Sequence, residues 1–209
     1  MTLKYTAGLI LWCARLRLVA FGVFALGLLI AIGTLQARET YQQFSQRILS
    51  APPEGVVIKS DVEAAILMAT NAYRKSRGLR PLKLSSGKLR DAARVQAMDL
   101  LATGQMGHVA STGHDFDARM RALHPGEMML PALAENAARQ TRKKLSSAEN
   151  AAALVGQWIK SAGHRRNMAD ASFVTIAIGA VQRGDVVYAV QIFRGPDVKT
   201  NFKFGTSDP

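Results

Sequence analysis

Three polar positions combine residue types that can hold a metal ion or move a proton. Gly107-His108 follows a predicted helix, Glu135-Asn136 follows a long loop inside an apolar stretch, and Gly163-His164 follows another helix. Imidazoles bind metals, and a carboxylate can orient them or polarise a bound water. A glutamate in an apolar segment should be exposed or paired, because burying a lone charge costs several kcal/mol. Pairing Glu135 with a histidine would meet that need.

The signatures of several common enzyme classes are absent from the sequence. It contains no phosphate loop, no dinucleotide fingerprint, no Gly-x-Ser-x-Gly elbow and no His-Glu-x-x-His. The single cysteine, Cys13, precedes the predicted domain, which therefore has no disulfide, thiol nucleophile or thiolate ligand. The other histidines are assigned plainer roles, His114 in a loop and His124 at a helix end.

Helical periodicity precedes strand periodicity along the chain. Ser60-Asp-Val-Glu63 and Ser146-Ser-Ala-Glu149 have the pattern of capping boxes that begin helices. A further helix is predicted from about Ser86 to Leu101, with an irregular stretch over 125–135. Alternating apolar residues over 174–193, interrupted by a Gly-containing turn, predict an antiparallel strand pair. This order indicates an α+β layered domain.

The N-terminus carries an export signal. Leu18–Leu35 is an uncharged run of 18 residues, about 27 Å long as a helix and close to the thickness of a bilayer core. Lys4, Arg15 and Arg17 precede it, which predicts a cytoplasmic N-terminus and transfer of the rest across the membrane. Residues 1–37 are either an uncleaved anchor or a cleaved signal peptide. The length of the run and the imperfect cleavage sequence Thr34-Leu-Gln-Ala37 favour the anchor.

These features give the expected domain organisation. Residues 38–60 are polar, contain Pro52-Pro53 and are predicted to be a linker. The domain is predicted over 61–196, followed by a C-terminal tail at 197–209. We expect the domain on the periplasmic or extracellular side, either membrane-anchored or secreted.

The chain is basic, with 27 Lys and Arg against 15 Asp and Glu. Such a charge either attracts anionic partners or simply forms a solvated surface. For an exported chain, the first candidates are an anionic envelope component, a lipid or another cell-surface ligand, and not nucleic acid. The bases are spread along the sequence and are not interleaved with aromatic residues in one stripe.

Several short motifs together resemble bacterial members of the CAP superfamily, the relatives of cysteine-rich secretory, antigen 5 and pathogenesis-related 1 proteins. The resemblance covers about residues 62–194, and the motifs occur in the family's order. They are Asn71-Ala-Tyr-Arg74, Gly78-Leu-Arg-Pro-Leu82, Gly107-His108, Glu135-Asn136, Trp158-Ile-Lys-Ser161-Ala-Gly-His164-Arg-Arg-Asn167 and Tyr188-Ala-Val-Gln191-Ile-Phe193.

The resemblance implies an α-β-α sandwich with an open cleft, where two histidines meet acidic residues. Some members bind a divalent cation through these histidines, so His108 and His164 are the implied ligands for Zn²⁺ or another divalent ion, beside Glu135. The family's second glutamate falls at Ser161, which is a departure from the pattern. Alternatively, the histidines only hydrogen-bond to Glu135 and the backbone and so hold loops together.

Three functions follow as hypotheses. The first is a non-enzymatic binding or effector module whose cleft includes His108, Glu135, Asn136, Ser161 and His164, as the family's secreted signalling, inhibitory or lipid-binding members suggest. The second is a hydrolase, such as a peptidase, with Glu135 as general base and metal or His164 as electrophile, or with a Ser161–His164 pair. The third is attachment to the wall or membrane through a basic face.

Overall fold

The computed structural model describes residues 39–127 and 129–197. The predicted leader, residues 1–37, and all of the predicted tail except Asp197 lie outside the described residues, as does Met128. Within the described ranges, none of the helices has the length and apolar character needed to cross a bilayer. From Thr40 onward, the described residues belong to one compact unit.

Six helices and five strands are present in the described part of the chain. The helices are α1 (Tyr41–Ser50), α2 (Ser60–Lys75), α3 (Lys88–Thr103), α4 (Phe116–Leu123), α5 (Ser147–Lys160) and α6 (Ala162–Ala169). The strands are β1 (Val57–Ile58), β2 (Lys83–Leu84), β3 (Leu133–Gln140), β4 (Thr175–Arg183) and β5 (Val186–Arg194).

The strands form a single sheet in the order β1-β4-β5-β3, with β2 also pairing with β4. The β4–β5 hairpin is antiparallel and turns at Gly184, whose φ of 58° lies in the left-handed region that favours glycine. Strand β3 pairs with β5 along its whole length, with Glu135 opposite Ile192. Strand β3 lies at one edge of the sheet, and its residues Ala137 and Ala138 pack on opposite faces.

Alternation along the strands divides the core into two halves, one on each face of the sheet. Along β4, Ala177 and Val181 pack with α1, α3 and α4, whereas Ile176, Ile178 and Ala180 pack with α2, α5 and α6. Both clusters are buried, and the chain is therefore an α-β-α sandwich. This arrangement confirms the fold class expected from the sequence.

Helix α3 approaches the sheet closely at Gly179. A Cβ atom at this position would lie 2.3 Å from the backbone N of Arg94 and 2.4 Å from the carbonyl carbon of Ala93. A side chain cannot be accommodated there without moving the helix backbone. The glycine thus sets the distance between α3 and β4.

The segment predicted to be a linker, 38–60, contains a helix and a short strand. Residues 41–50 form α1, which begins with a capping box between Thr40 and Gln43. Tyr41, Phe44 and Ile48 are buried in the cluster on the α3 face. Their i, i+3, i+7 spacing is helical, and the sequence prediction was wrong because the helix is short and polar on its other face.

Of the two capping boxes predicted from the sequence, one is confirmed. Ser146 accepts a hydrogen bond from the backbone N of Glu149, and the Glu149 carboxylate accepts from Ser146. The prediction at Ser60 was wrong, because Glu63 is buried and accepts hydrogen bonds from Arg94 at 2.8 and 2.6 Å. That carboxylate also accepts from the backbone N of Ala180 at 3.2 Å, and so ties α2 and α3 to the sheet.

Candidate functional site

His108 lies in the loop that follows α3. The helix ends at Thr103 and is capped by Gly104, which has the left-handed conformation with φ of 71°. The buried carboxylate of Asp99 accepts hydrogen bonds from the backbone N and the hydroxyl of Ser111, at 2.7 and 2.6 Å. The last turn of the helix therefore fixes the loop, and the side chain of His108 remains 48% exposed.

Glu135 is a buried carboxylate held by two neighbouring elements. It lies on β3 with only 2% of its side chain exposed. Nη2 of Arg119, from α4, donates to both carboxylate oxygens at 2.8 and 2.9 Å. Nδ1 of His108 lies 2.9 Å from Oε1 of Glu135. Because an ionised carboxylate only accepts hydrogen bonds, Nδ1 of His108 carries the proton and Nε2 is directed away from the pair.

Arg119 joins the carboxylate to the histidine loop. Its side chain is fully buried, and Nη2 also donates to the backbone carbonyl of His108 at 3.2 Å. Burial opposes the charge of this guanidinium, but the neighbouring Glu135 and Tyr41 outweigh that effect and raise the pKa of Arg119. The arginine is charged at any physiological pH and compensates the charge of Glu135.

Tyr41 brings α1 next to this buried pair. Burial raises the pKa of its phenol, and the positive charge of Arg119 partly opposes the shift. The hydroxyl of Tyr41 and Nε and Nη1 of Arg119 are buried and have no hydrogen-bond partner of acceptable geometry among the described residues. These buried polar atoms of α1 and α4 lie next to the Arg119–Glu135 pair in the interior.

His164 lies across from His108 and comes from the other helical layer. The two imidazole rings are 6.0 Å apart between centroids and meet edge to face, at 72°. Burial lowers the pKa of His164, and His108 lowers it further. The imidazole of His164 is therefore neutral at neutral pH, as a metal ligand or hydrogen-bond acceptor must be.

Asn136 and Asn167 fix the position of α6 against β3. Nδ2 of Asn136 donates to the carbonyl of His164 at 3.1 Å, and Nδ2 of Asn167 donates to Oδ1 of Asn136 at 2.9 Å. Asn136 is fully buried and also donates to Gln191 at 3.1 Å. Its contribution in this structure is to position His164, because a fully buried amide is not accessible to a ligand.

The structure thus brings His108, Glu135 and His164 together at the edge strand. Ser161 is half-buried at the junction of α5 and α6, and within the described residues its hydroxyl makes no hydrogen bond to His164. Asn136 lies behind this cluster and holds the backbone of His164 through a hydrogen bond.

The metal-binding capacity of the site comes from two imidazoles. Two rings that share one tetrahedral ion have centroids about 5–6 Å apart, given metal–nitrogen distances near 2 Å. The observed 6.0 Å fits this spacing. Residues 39–127 and 129–197 contain no group of three or more His, Cys, Asp or Glu side chains suited to one ion. Glu135 contacts the ring of His108 from behind and would act as the carboxylate that orients a ligating histidine.

Exposed apolar side chains flank the histidine loop. Met106 and Val109, on either side of His108, are 43% and 55% exposed. A separate cavity of about 390 Å³ lies between α1, α3 and α4, and is lined by Ser45, Leu49, Lys88 and Asp91 among others. Neither histidine nor Glu135 lines that cavity.

Comparisons with known proteins agree with this architecture. Residues 67–193 match the family model of CAP, the cysteine-rich secretory protein family. Because the match covers more than half of the chain, this protein belongs to the CAP family. A curated relative, protein YkwD of Bacillus subtilis, is 27% identical over 128 residues, which are 61% of this chain and 45% of YkwD.

Solved structures provide the same fold. An extracellular SCP-domain protein from Bacillus anthracis aligns with a TM-score of 0.53 and 24% identity, over 66% of this chain and 41% of that protein. An outer surface protein of Borrelia burgdorferi aligns with a TM-score of 0.54 and 16% identity, over 66% of this chain and 95% of that protein. The chain spans less than half of YkwD and of the Bacillus anthracis protein.

Sequence reasoning missed two residues of the site, Arg119 and Tyr41. Arg119 is one of two arginines in the short helix α4, and only the fold shows that it is the residue that pairs with Glu135. The position of Glu135 in an apolar segment could have indicated such a partner, since a buried carboxylate needs a buried cation. Tyr41 was missed because its helix was interpreted as a linker.

Proposed function

We propose that this protein is an exported binding or effector module of the CAP type, and that the pair His108 and His164 holds a divalent cation at the mouth of its cleft. The observation that carries this proposal is the hydrogen bond from Nδ1 of His108 to Glu135, at 2.9 Å. It fixes the tautomer with a free Nε2 lone pair on the exposed side of the ring. The neutral imidazole of His164 lies opposite.

The chain's own groups would hold the ion only partly. Two imidazoles supply two ligands, and the other positions of a zinc ion would be filled by water or by groups of a bound partner. When bound, the ion would supply a positive charge that attracts anionic or carbonyl groups. Arg119 and Glu135 would keep His108 oriented, and Met106 and Val109 would offer apolar contact beside it.

A lipid is a second proposed ligand, and it is suggested by the family resemblance. The exposed side chains of Met106 and Val109 are compatible with an apolar ligand. They lie on both sides of His108, so such a ligand would cover the histidine.

The hydrolase alternative has less support. A general base must reach a water molecule, but Glu135 is 2% exposed and both of its oxygens accept from Arg119. A Ser161–His164 nucleophile would need a hydrogen bond between the two side chains, and the described residues contain none. Turnover of a peptide substrate that is lost in Glu135→Gln while the fold is retained would favour a hydrolase with Glu135 as general base, and turnover lost in Ser161→Ala would favour the Ser161–His164 pair.

Export is expected to end with the domain tethered to the membrane or secreted. The uncharged run at Leu18–Leu35 and the preceding basic residues support an anchor. Fractionation of cells that express the full chain, followed by measurement of the mass of the protein in each fraction, distinguishes an anchored protein from a cleaved one. A full-length protein in the membrane fraction supports an anchor, and a shortened protein in the soluble fraction supports cleavage.

The cation site can be tested by calorimetric titration of the full chain with Zn²⁺ at pH 7. We expect one saturable site in the wild type and its loss in both His108→Ala and His164→Ala. His124→Ala is the matched control, because Nδ1 of that half-buried histidine donates to the carbonyl of Met120 in its own helix and the residue lies outside the cluster. Equal binding by all four proteins would exclude the proposed site.

Glu135→Gln tests the orienting role of the carboxylate. We expect the zinc affinity to fall about tenfold to a hundredfold, as for other carboxylates that orient a ligating histidine. Unfolding curves measured in parallel show whether the variant remains folded under the titration conditions. An affinity equal to that of the wild type would show that Glu135 does not tune His108.

A further inference from the structure

A second surface feature lies away from the histidines, between the end of β3 and the outer face of α5. It is a groove of about 400 Å³, lined by three basic side chains and by small residues of α5. The bases are Arg139, Arg142 and Lys160, and the small residues are Ala152, Ala153 and Gly156. No acidic side chain is among its lining residues.

The three bases have no carboxylate partner within the described ranges. Arg139 donates only to neutral oxygens, the carbonyl of Gly104 at 3.4 Å and the hydroxyl of Tyr188 at 3.2 Å. The side chains of Arg142 and Lys160 make no hydrogen bond there. By contrast, five other basic side chains pair with carboxylates, namely Lys59, Arg94, Arg119, Lys143 and Arg194. The positive charge in the groove is therefore not neutralised by the protein.

The floor of the groove is open. A Cβ atom built at Gly156 meets no other atom within 4 Å. From Ala152 to Lys160 the groove follows eight residues of helix, which corresponds to a length of about 12 Å. That length exceeds the size of a single phosphate or carboxylate group, so an anionic ligand that fills the groove along α5 is an extended chain.

We propose that this groove binds a linear polyanion, which is a chain of repeated phosphate, sulfate or carboxylate groups that carries no nucleobases. Two observations favour such a chain over other anionic partners. The lining residues include no aromatic side chain on which a nucleotide base could stack. They also include none of the exposed large apolar side chains that insertion into a lipid surface would use, since those lie at Val57, Met68, Leu84, Met106, Val109 and Met129.

The experiment uses the full chain in a non-ionic detergent and a fluorescently labelled linear polyphosphate, with anisotropy as the readout. Arg142→Ala/Lys160→Ala should weaken binding by about tenfold or more for each charge-assisted contact removed. Lys83→Ala/Arg121→Ala is the matched control, because it removes one lysine and one arginine from β2 and α4. Those elements lie at the other edge of the sheet and on its other face.

A steric variant separates binding in the groove from general attraction. Gly156→Leu leaves the charge unchanged and places a side chain over the open floor, at a helical position without unusual φ. We expect it to weaken polyphosphate binding as strongly as the double variant. Circular dichroism checks that α5 remains folded, and Gly156→Gln serves as a second variant if the leucine variant aggregates.

The proposal is overturned if the two double variants lose the same affinity, or if Gly156→Leu and Gly156→Gln both bind like the wild type. It is also overturned if mixed micelles of phosphatidylglycerol compete as well as polyphosphate at equal phosphate concentration, since single headgroups would then suffice. A single-stranded oligonucleotide that binds more tightly than polyphosphate would show that the groove recognises nucleobases, and would overturn the proposal. His164→Ala should bind polyphosphate like the wild type, so this test stands or fails separately from the cation site.

Discussion

Arg119 and Glu135 form a buried ion pair beneath His108, with one guanidinium nitrogen 2.8 and 2.9 Å from the two carboxylate oxygens. The arginine comes from α4 and the glutamate from the edge strand β3. Removal of one member leaves the other as an uncompensated charge in the interior. The pair therefore couples the stability of the domain to the geometry of its candidate site.

Replacing the arginine alone should be costly. Arg119→Met is expected to lower the free energy of unfolding by about 3–5 kcal/mol, because the charge of Glu135 then stays buried without a partner. Chemical denaturation measures the loss. Arg121→Met, at an exposed position of the same helix, should change stability by less than about 0.5 kcal/mol.

The double variant Arg119→Met/Glu135→Leu provides the second half of this test. Because both charges are then absent, it should regain much of the stability that the single variant loses. A double variant no more stable than Arg119→Met would show that the loss comes from packing and not from the unpaired charge.

Helix α1 makes a separate prediction, because it packs on the core where a linker was expected. Phe44→Ala should lower the free energy of unfolding by about 3–5 kcal/mol, as for other buried aromatic side chains. Gln46→Ala, on the exposed side of the same helix, is the control and should be nearly neutral. Equal stability of both variants and the wild type would mean that α1 contributes nothing to the folded domain.

The architecture was predictable from the sequence where periodicity was strong. The β4–β5 hairpin, α3 and the capping box at Ser146 all follow from alternation, helical spacing or cap chemistry. Strand β3 was not predicted, since its central residues 135–138 are buried on both faces and show no alternation of polar and apolar residues. The Pro and Gly residues before it favoured a loop.

The candidate site was predictable only in part, for a related reason. The family resemblance identified His108, Glu135 and His164, and the need of a buried carboxylate for a partner predicted a contact between Glu135 and a histidine, which the structure forms with His108. That reasoning gave Glu135 one partner, whereas the structure gives it two. Arg119 donates to both carboxylate oxygens, and His108 contacts only one of them. A long-range pair of this kind depends on how α4 packs on the sheet, which local sequence patterns do not encode.

The contact between α3 and β4 yields a third prediction. Gly179→Ala should be strongly destabilising, by about 3 kcal/mol or more, because its Cβ would lie 2.3 Å from the backbone of Arg94. The matched substitution Gly156→Ala should stabilise the protein by about 0.5–1 kcal/mol, since it replaces a helical glycine that faces open space. Thermal or chemical unfolding measures both. A tolerated alanine at 179 would mean that α3 lies farther from the sheet than described.

The lowered pKa of His164 predicts a pH-dependent stability of the metal-free protein. Its folded pKa lies below the ordinary value because burial and His108 disfavour the charged form. The unfolded chain therefore takes up a proton first, and stability is retained above about pH 6.5 and falls as the pH drops below that value. Urea unfolding at a series of pH values between about 7 and 5, with chelator present, measures this decline.

His164→Gln keeps a polar side chain that does not titrate, and its stability should change less over the same interval. His124→Gln is the control and should retain the decline of the wild type. If the variant at 164 lost stability with falling pH as steeply as the wild type, another group would be responsible. Because a divalent cation binds only the neutral imidazole, added Zn²⁺ should stabilise the wild type most at neutral pH and progressively less as the pH falls.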